Sequence, residues 1–226
     1  MIKFKHPATF LVSGATQSGK TRFILRMLDA VLDNNGGGGG DDRRRRQQQQ
    51  QFFESPITRI VYCYGEYQSV FDKYKSFGVH FHKGIPNSRD KIFDGKHPSL
   101  LILDDLMDSI NAFVADIFTK ISHHRNLSVV YVCQNLFDKN KYHRTISLNS
   151  HYIVLLRNPR DTQPVASLAR QIFDSDWRVA TDAYREATRE RYCYLLFDLH
   201  PSTEDRLRLR TNIFPGERSY TYIKKE

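Results

Sequence analysis

One segment near the start of the chain, GATQSGKT at residues 14–21, constrains the fold more than any other part of the sequence. An apolar run at residues 10–12 precedes it, and apolar residues at helical spacing follow it over residues 23–28. This order predicts a strand, a glycine-containing loop and a helix. Such a loop folds around a phosphate, aims its N–H groups inward and places a helix N-terminus beneath the anion.

The loop therefore predicts a nucleotide-binding site. We expect Lys20 to reach the β- and γ-phosphates of a nucleoside triphosphate, and the Thr21 hydroxyl to be a ligand of Mg²⁺, which prefers oxygen. The residues predicted to bind the phosphates are Gly14, Ala15, Thr16, Gln17, Ser18, Gly19, Lys20 and Thr21.

Two aspartates follow a second apolar run, in LLILDDLMD. The carboxyl ends of parallel strands form the ligand-binding edge of an open sheet, so Asp104 is expected there as the Mg²⁺-binding Walker B acid. Asp105 follows it, at the position where hydrolysing enzymes of several P-loop groups carry a glutamate that orients and deprotonates the attacking water. The alternative for this pair is a helix N-cap or a plain turn.

A third polar strand end is found in SVVYVCQN, where Gln134 and Asn135 follow an apolar run. If this strand lies beside the one that ends at Asp104, Gln134 faces the γ-phosphate and can report its presence. The alternative is an ordinary turn after a strand.

The rest of the chain alternates apolar strands with amphipathic helices. Continuous apolar runs are typical of a sheet covered on both faces, so we predict a mostly parallel sheet flanked by helices, in one α/β domain over residues 1–226. Strands are predicted at 57–65, 79–84, 99–108, 127–135, 151–159 and 191–200, and helices at 110–124, 162–173 and 177–189.

Composition limits the partners and the compartment. The net charge of +9 favours a polyanionic partner. No run of eighteen apolar residues occurs, so neither a membrane span nor a signal peptide is predicted. Cys63, Cys133 and Cys193 lie in separate apolar runs, which predicts reduced core thiols and a reducing compartment.

Residues 34–51, NNGGGGGDDRRRRQQQQQ, form a low-complexity insert that we expect to be disordered, because it contains nothing to bury. Its arginines are either simply solvated or in contact with DNA phosphates. His123 and His124 are expected to favour a helix C-terminus rather than a metal site. The basic stretch RLRLR at 206–210 is either a solvated edge strand or a strip facing DNA.

Taken together, GATQSGKT, LLILDDLMD, HHRNLSVVYVCQNLF, ISLNSHYIVLLRNPRD, LARQIF and LRLRTNIFP resemble the genome-packaging ATPases of the FtsK/HerA superfamily. The likeness is to the poxvirus-type enzyme and its relatives in Polinton/Maverick elements, adintoviruses and virophages. It implies a RecA-type P-loop core, ATP and Mg²⁺ as cofactors, and double-stranded DNA as partner. It further implies a homo-oligomeric ring, pentameric or hexameric, at a capsid or portal vertex inside the host cell.

The resemblance also implies roles for single residues. Lys20 and Thr21 carry over as nucleotide and Mg²⁺ ligands, Asp104 as the Walker B acid, Asp105 as the catalytic carboxylate and Gln134 as the sensor. The family usually has Glu where Asp105 stands, and the insert at 34–51 is foreign to its pattern.

An arginine supplied by a neighbouring subunit completes the site in ring ATPases. Arg125 lies where related packaging motors carry theirs. Arg157 and Arg160 are rivals, and for each arginine a surface salt bridge or a DNA contact is the alternative. We expect no complete set of cations around the P-loop within one chain.

The predicted function is therefore ATP-driven translocation of double-stranded DNA. Two alternatives remain at this stage: a nucleotide kinase, which uses the same loop, and a DNA-binding assembly protein that a nucleotide locks without hydrolysis.

Overall fold

The computed structural model describes residues 2–33, 52–137 and 140–224, and the predicted insert at 34–51 lies outside these residues. The described strands form one nine-stranded sheet in the order β3-β2-β4-β5-β1-β6-β7-β8-β9. Their bounds are β1 (Thr9–Ser13), β2 (Arg59–Tyr64), β3 (His80–Lys83), β4 (Ser99–Asp104), β5 (Leu127–Cys133), β6 (Tyr152–Leu156), β7 (Tyr194–Asp198), β8 (Leu209–Thr211) and β9 (Tyr220–Thr221).

The six strands from β3 to β6 in this order are parallel, and β7, β8 and β9 are antiparallel additions at one side. Every predicted strand is present: β1 extends one residue beyond each end of its apolar run, and the other predicted strands are shorter than expected. The prediction of a mostly parallel, helix-flanked α/β sheet is confirmed.

The helices are α1 (Lys20–Leu32), α2 (Phe71–Lys75), α3 (Ala112–Asp116), α4 (Lys141–Leu148), α5 (Gln163–Phe173) and α6 (Trp177–Ala187). After α3 the chain continues through a π-helical turn, Ile117–Ile121, to a last turn, Ser122–His124. Asn111 and Asn140 begin their helices by accepting a hydrogen bond from a backbone N–H of the first turn. The sequence patterns did not predict α2 and α4, which are short and whose apolar faces are narrow.

Alternate residues of each strand enter two separate cores, one on each face of the sheet. In β1, for example, Phe10 and Val12 join the core beneath α1, and Leu11 joins the core beneath α3, α5 and α6. Covering on both faces explains why the central strands are continuous apolar runs.

Of the three cysteines, Cys63 and Cys133 are buried as predicted, and burial raises the pKa of the Cys63 thiol to about 12. Cys193 is only half-buried, because it lies in the turn just before β7 rather than inside the strand. Among the described residues, no helix is long and apolar enough to cross a membrane.

Candidate nucleotide site

The GATQSGKT loop connects β1 to α1, as the sequence predicts. Gly19 has φ 105° in the position that starts α1, and a Cβ there would lie 2.7 Å from Cδ1 of Tyr192. A Cβ on Gly14 would lie 2.8 Å from Cβ of Leu156. Both positions therefore require glycine, one for backbone conformation and close approach, the other for close approach alone.

The Lys20 side chain lies back along the loop. Its ammonium donates hydrogen bonds to the carbonyl oxygens of Gly14 (2.7 Å) and Ala15 (2.9 Å). Burial lowers the pKa of Lys20, and the nearby carboxylates of Asp104 and Asp105 act in the opposite direction. The Lys20 ammonium thus lies between the GATQSGKT loop and the acidic end of β4.

Asp104 is the last residue of β4 and is 7% exposed. Its Oδ2 accepts a hydrogen bond from the Tyr62 hydroxyl of β2. Burial raises the pKa of Asp104; the Tyr62 hydrogen bond and the Lys20 ammonium oppose that rise, and Asp105 adds to it. A buried carboxylate held on one oxygen, beside a lysine, fits a Mg²⁺ ligand.

Asp105 is exposed and has φ 55°, in the left-handed region that Asp tolerates better than most residues. The sharp turn directs the chain away from the sheet immediately after Asp104. Asp105 is therefore a solvent-accessible carboxylate in a turn directly after Asp104, and it does not cap a helix.

Strand pairing brings Gln134 to the same edge. β5 lies between β4 and β1, with Asp104 paired to Val132 and Ser13 paired to Cys133. Gln134 follows Cys133 directly, so it lies between the start of the loop and the acidic pair. It is exposed, and its backbone N–H is 3.2 Å from Sδ of Met107.

Arg125 lies just before the amino end of β5, opposite the carboxyl ends of the parallel strands where the loop lies. It is exposed and precedes β5, whose seven residues separate it from the loop edge. At about 3.3 Å per residue this distance is about 20 Å, so Arg125 does not reach the loop of its own chain. The geometry leaves it free to contact another molecule.

The rival arginines have a different position. Arg157, Arg160 and Arg191 line a cavity of about 680 Å³ together with loop residues 15–18, Pro159 and Tyr192. Three cations of the same chain therefore lie beside the loop, more than the sequence indicated, and the expectation that one chain lacks a complete set of cations stays a prediction. The sequence did not reveal this because the arginines come from two loops, before α5 and before β7, which meet only when β6 pairs with β7.

The basic stretch at 206–210 is not the solvated edge strand that was one of its two predicted roles, and its other predicted role, a strip facing DNA, stays a prediction. β8 lies between β7 and β9 and is not an edge strand. Arg210 is bound to the buried Asp198 at 2.7 Å, and Arg208 to Asp205 at 2.8 Å. These cations are neutralised within the chain.

His123 and His124 end the helical segment after α3, as expected. No group of three or more His, Cys, Asp or Glu side chains in the described part of the chain is arranged to hold a metal ion.

Comparison with known proteins gives a likeness in structure only. Scans of family models and of curated proteins found no match. The genome packaging NTPase B204 from Sulfolobus turreted icosahedral virus 2, in complex with AMPPCP, is similar with a TM-score of 0.51 and 14% identity, over 87% of this chain and 94% of that one. The DNA-packaging ATPase B204 from Sulfolobus turreted icosahedral virus has a TM-score of 0.49 and 11% identity, over 97% and 98%. The first likeness confirms the predicted P-loop NTPase fold.

Proposed function

We propose that this protein is an ATPase that couples ATP hydrolysis to the translocation of double-stranded DNA, in the packaging of a viral or transposon genome. The observation that carries the proposal is the convergence of Lys20, Asp104, Asp105 and Gln134 at the carboxyl ends of β1, β4 and β5. This is the edge where open α/β sheets bind ligands. The shared fold with a packaging NTPase supports it.

In this proposal the loop N–H groups and the Lys20 ammonium hold the β- and γ-phosphates. The Thr21 hydroxyl and the Asp104 carboxylate hold Mg²⁺, which when bound offsets the charge on the phosphates. Tyr62 keeps one carboxylate oxygen of Asp104 occupied, which would leave the other available to hold Mg²⁺. Asp105 orients and deprotonates the attacking water, and Gln134 senses the γ-phosphate.

In this proposal an arginine of a neighbouring subunit completes each active site. Arg125 is exposed at the edge opposite the loop, which suits a role in the site of a neighbouring copy. We propose a homo-oligomeric ring, pentameric or hexameric, that binds DNA and a capsid or portal vertex. Its place of action is then the site of virion assembly inside the host cell.

The nucleotide-kinase alternative is favoured by one observation, the arginines 157, 160 and 191 beside the P-loop, since kinases use such clusters on phosphates. The assembly-protein alternative requires binding without turnover. One experiment separates the three functions: phosphate release from ATP, with and without double-stranded DNA, and phosphate transfer from ATP to nucleoside monophosphates.

We expect phosphate release that double-stranded DNA increases, with no transfer to monophosphates. Transfer without release would establish the kinase, and nucleotide binding without either reaction would establish the assembly protein.

A further inference from the structure

The cavity beside the P-loop contains an aromatic residue that neither the phosphates nor the metal require. Tyr192 lies at its rim, and its ring approaches Gly19, the residue that starts α1. The ring is 46% exposed. An exposed aromatic ring at the mouth of a phosphate site is a surface on which a flat ligand can stack.

The backbone holds this ring in an unfavourable conformation. Tyr192 has φ 66°, in the left-handed region that bulky side chains rarely adopt. Such strain persists only where the surrounding structure imposes it, and it is concentrated at ligand sites. β7 begins two residues later, at Tyr194, whose pairing with Leu156 fixes the turn against the loop after β6.

The surroundings of the ring are cationic. The Arg22 guanidinium lies over it, 5.0 Å from the ring centroid. Arg191 and Arg160 line the same cavity. Planar guanidinium groups and an aromatic ring together present stacking surfaces and hydrogen-bond donors, but no side-chain carboxylate lines this cavity among the described residues.

We propose that Tyr192 is the base-binding residue of the nucleotide site, stacking on the purine while the loop holds the phosphates. This inference rests on the proposed nucleotide binding and goes beyond it by naming the base subsite. Gln17 has the one side-chain amide among the described lining residues, whereas the ring can stack on any base. Stacking therefore selects for ring size more than for base identity, and ATP and GTP are expected to bind within about tenfold of each other.

The test uses calorimetric titration of the full chain with ATP, GTP, UTP and inorganic tripolyphosphate, which has no base. Tyr192→Ala is expected to bind ATP about 5- to 150-fold more weakly, as loss of one stacked base predicts. Its affinity for tripolyphosphate should stay within about twofold of wild type, because the loop and Lys20 are intact. Tyr192→Phe should bind ATP like the wild type, and UTP should bind the wild type more weakly than ATP.

Tyr220→Ala is the matched control, because Tyr220 is 49% exposed but lies in β9, at the far side of the sheet. Tyr192→Trp supplies a second readout that does not depend on the stability of the alanine variant. Its fluorescence should change with ATP and not with tripolyphosphate, against the background of Trp177, the single native tryptophan.

Equal ATP affinity of Tyr192→Ala and wild type would overturn the base subsite while leaving nucleotide binding intact. Equal losses for ATP and tripolyphosphate would also overturn it, since Tyr192 would then act only by supporting the loop. A wild-type protein that binds neither ligand would instead refute the proposed function itself.

Discussion

The Tyr62 hydroxyl donates a 2.5 Å hydrogen bond to Oδ2 of Asp104, so a residue of β2 fixes the carboxylate that ends β4. Tyr62 is fully buried, among the rings of Phe71 and Phe81. The two strands are paired, with Tyr64 beside Asp104, which places Tyr62 two residues back on the same face. In the proposed function, where Asp104 holds Mg²⁺, such a partner would orient the carboxylate without touching the metal.

Tyr62→Phe tests that orientation. The variant keeps the ring contacts but loses the hydroxyl donor, so the fold should persist. Asp104 should bind Mg²⁺ about tenfold more weakly, which is the lower end of the loss seen when the hydrogen-bond partner of a metal ligand is removed. The measurement is the Mg²⁺ concentration for half-maximal ATP hydrolysis. An unchanged Mg²⁺ dependence would show that Tyr62 serves only the core.

Asp104→Asn is expected to stabilise the protein at neutral pH. Burial raises the pKa of Asp104 above its ordinary value of 3.8, so the charged carboxylate is a net cost to the folded state. Protonation of Asp104 favours the folded state, because its pKa is higher there than in the unfolded chain. This contribution to the free energy of unfolding is fully present below about pH 3.8 and is lost as the pH rises through the raised pKa. Asn is neutral throughout and can still accept from Tyr62.

The stability that Asp104→Asn gains over the wild type should therefore be largest at neutral pH and shrink as the pH falls toward 4. Each kcal/mol of this gain should raise Tm by about 2–4 °C. Thermal unfolding without nucleotide measures it. Asp108→Asn is the control, because that side chain is exposed and, unlike Asp105, is not among the groups that shift the pKa of Asp104. The same gain in both variants would locate the effect outside Asp104.

Lys20 and Asp105 are expected to separate binding from hydrolysis. Lys20→Ala removes a charge-assisted phosphate contact, so nucleotide should bind about 10- to 150-fold more weakly. Asp105→Asn should bind nucleotide normally and hydrolyse it about 10²- to 10⁴-fold more slowly. Titration with a fluorescent nucleotide and phosphate release measure the two steps. Full turnover by Asp105→Asn would direct attention to Asp108, which is also exposed.

The Asp198–Arg210 ion pair is expected to be structural. The Asp198 side chain is 4% exposed and that of Arg210 is 12% exposed, so Asp198→Ala leaves a buried cation without its partner. The expected loss is about 3–5 kcal/mol in the free energy of unfolding, measured by urea denaturation. Arg206→Ala, which breaks an exposed pair with Glu204, should change it by less than about 1 kcal/mol.

Local patterns were sufficient for the central strands and the longer helices, but not for the short elements α2, α4 and β9 or for the contacts between elements. The loop at 14–21 and the aspartates after β4 were predictable because each is defined by adjacent residues. The Tyr62–Asp104 hydrogen bond depends on the pairing of β2 with β4, two strands that are about 40 residues apart in the chain. The arginine-lined cavity depends likewise on the antiparallel β6–β7 pair, because no motif marks a loop that is completed by a distant strand.

The last prediction concerns Arg125 and assembly. Because Arg125 is about 20 Å from its own loop, any catalytic role must be played in another subunit. Arg125→Ala should bind nucleotide normally but hydrolyse it about 10³-fold more slowly, the lower end for an arginine finger. Lys120→Ala is the control, since Lys120 is an exposed cation of the same helical segment and should leave hydrolysis unchanged.

Mixing supplies the decisive measurement, because two inactive proteins should restore each other. In a ring of Arg125→Ala and Lys20→Ala subunits, some interfaces combine the intact loop of the first with the intact Arg125 of the second, so phosphate release should reappear. Cross-linking or light scattering verifies that the two variants co-assemble. If co-assembled rings stay inactive, Arg125 is not the finger, and Arg157 and Arg160, which line the P-loop cavity of their own chain, become the arginines to test within one subunit.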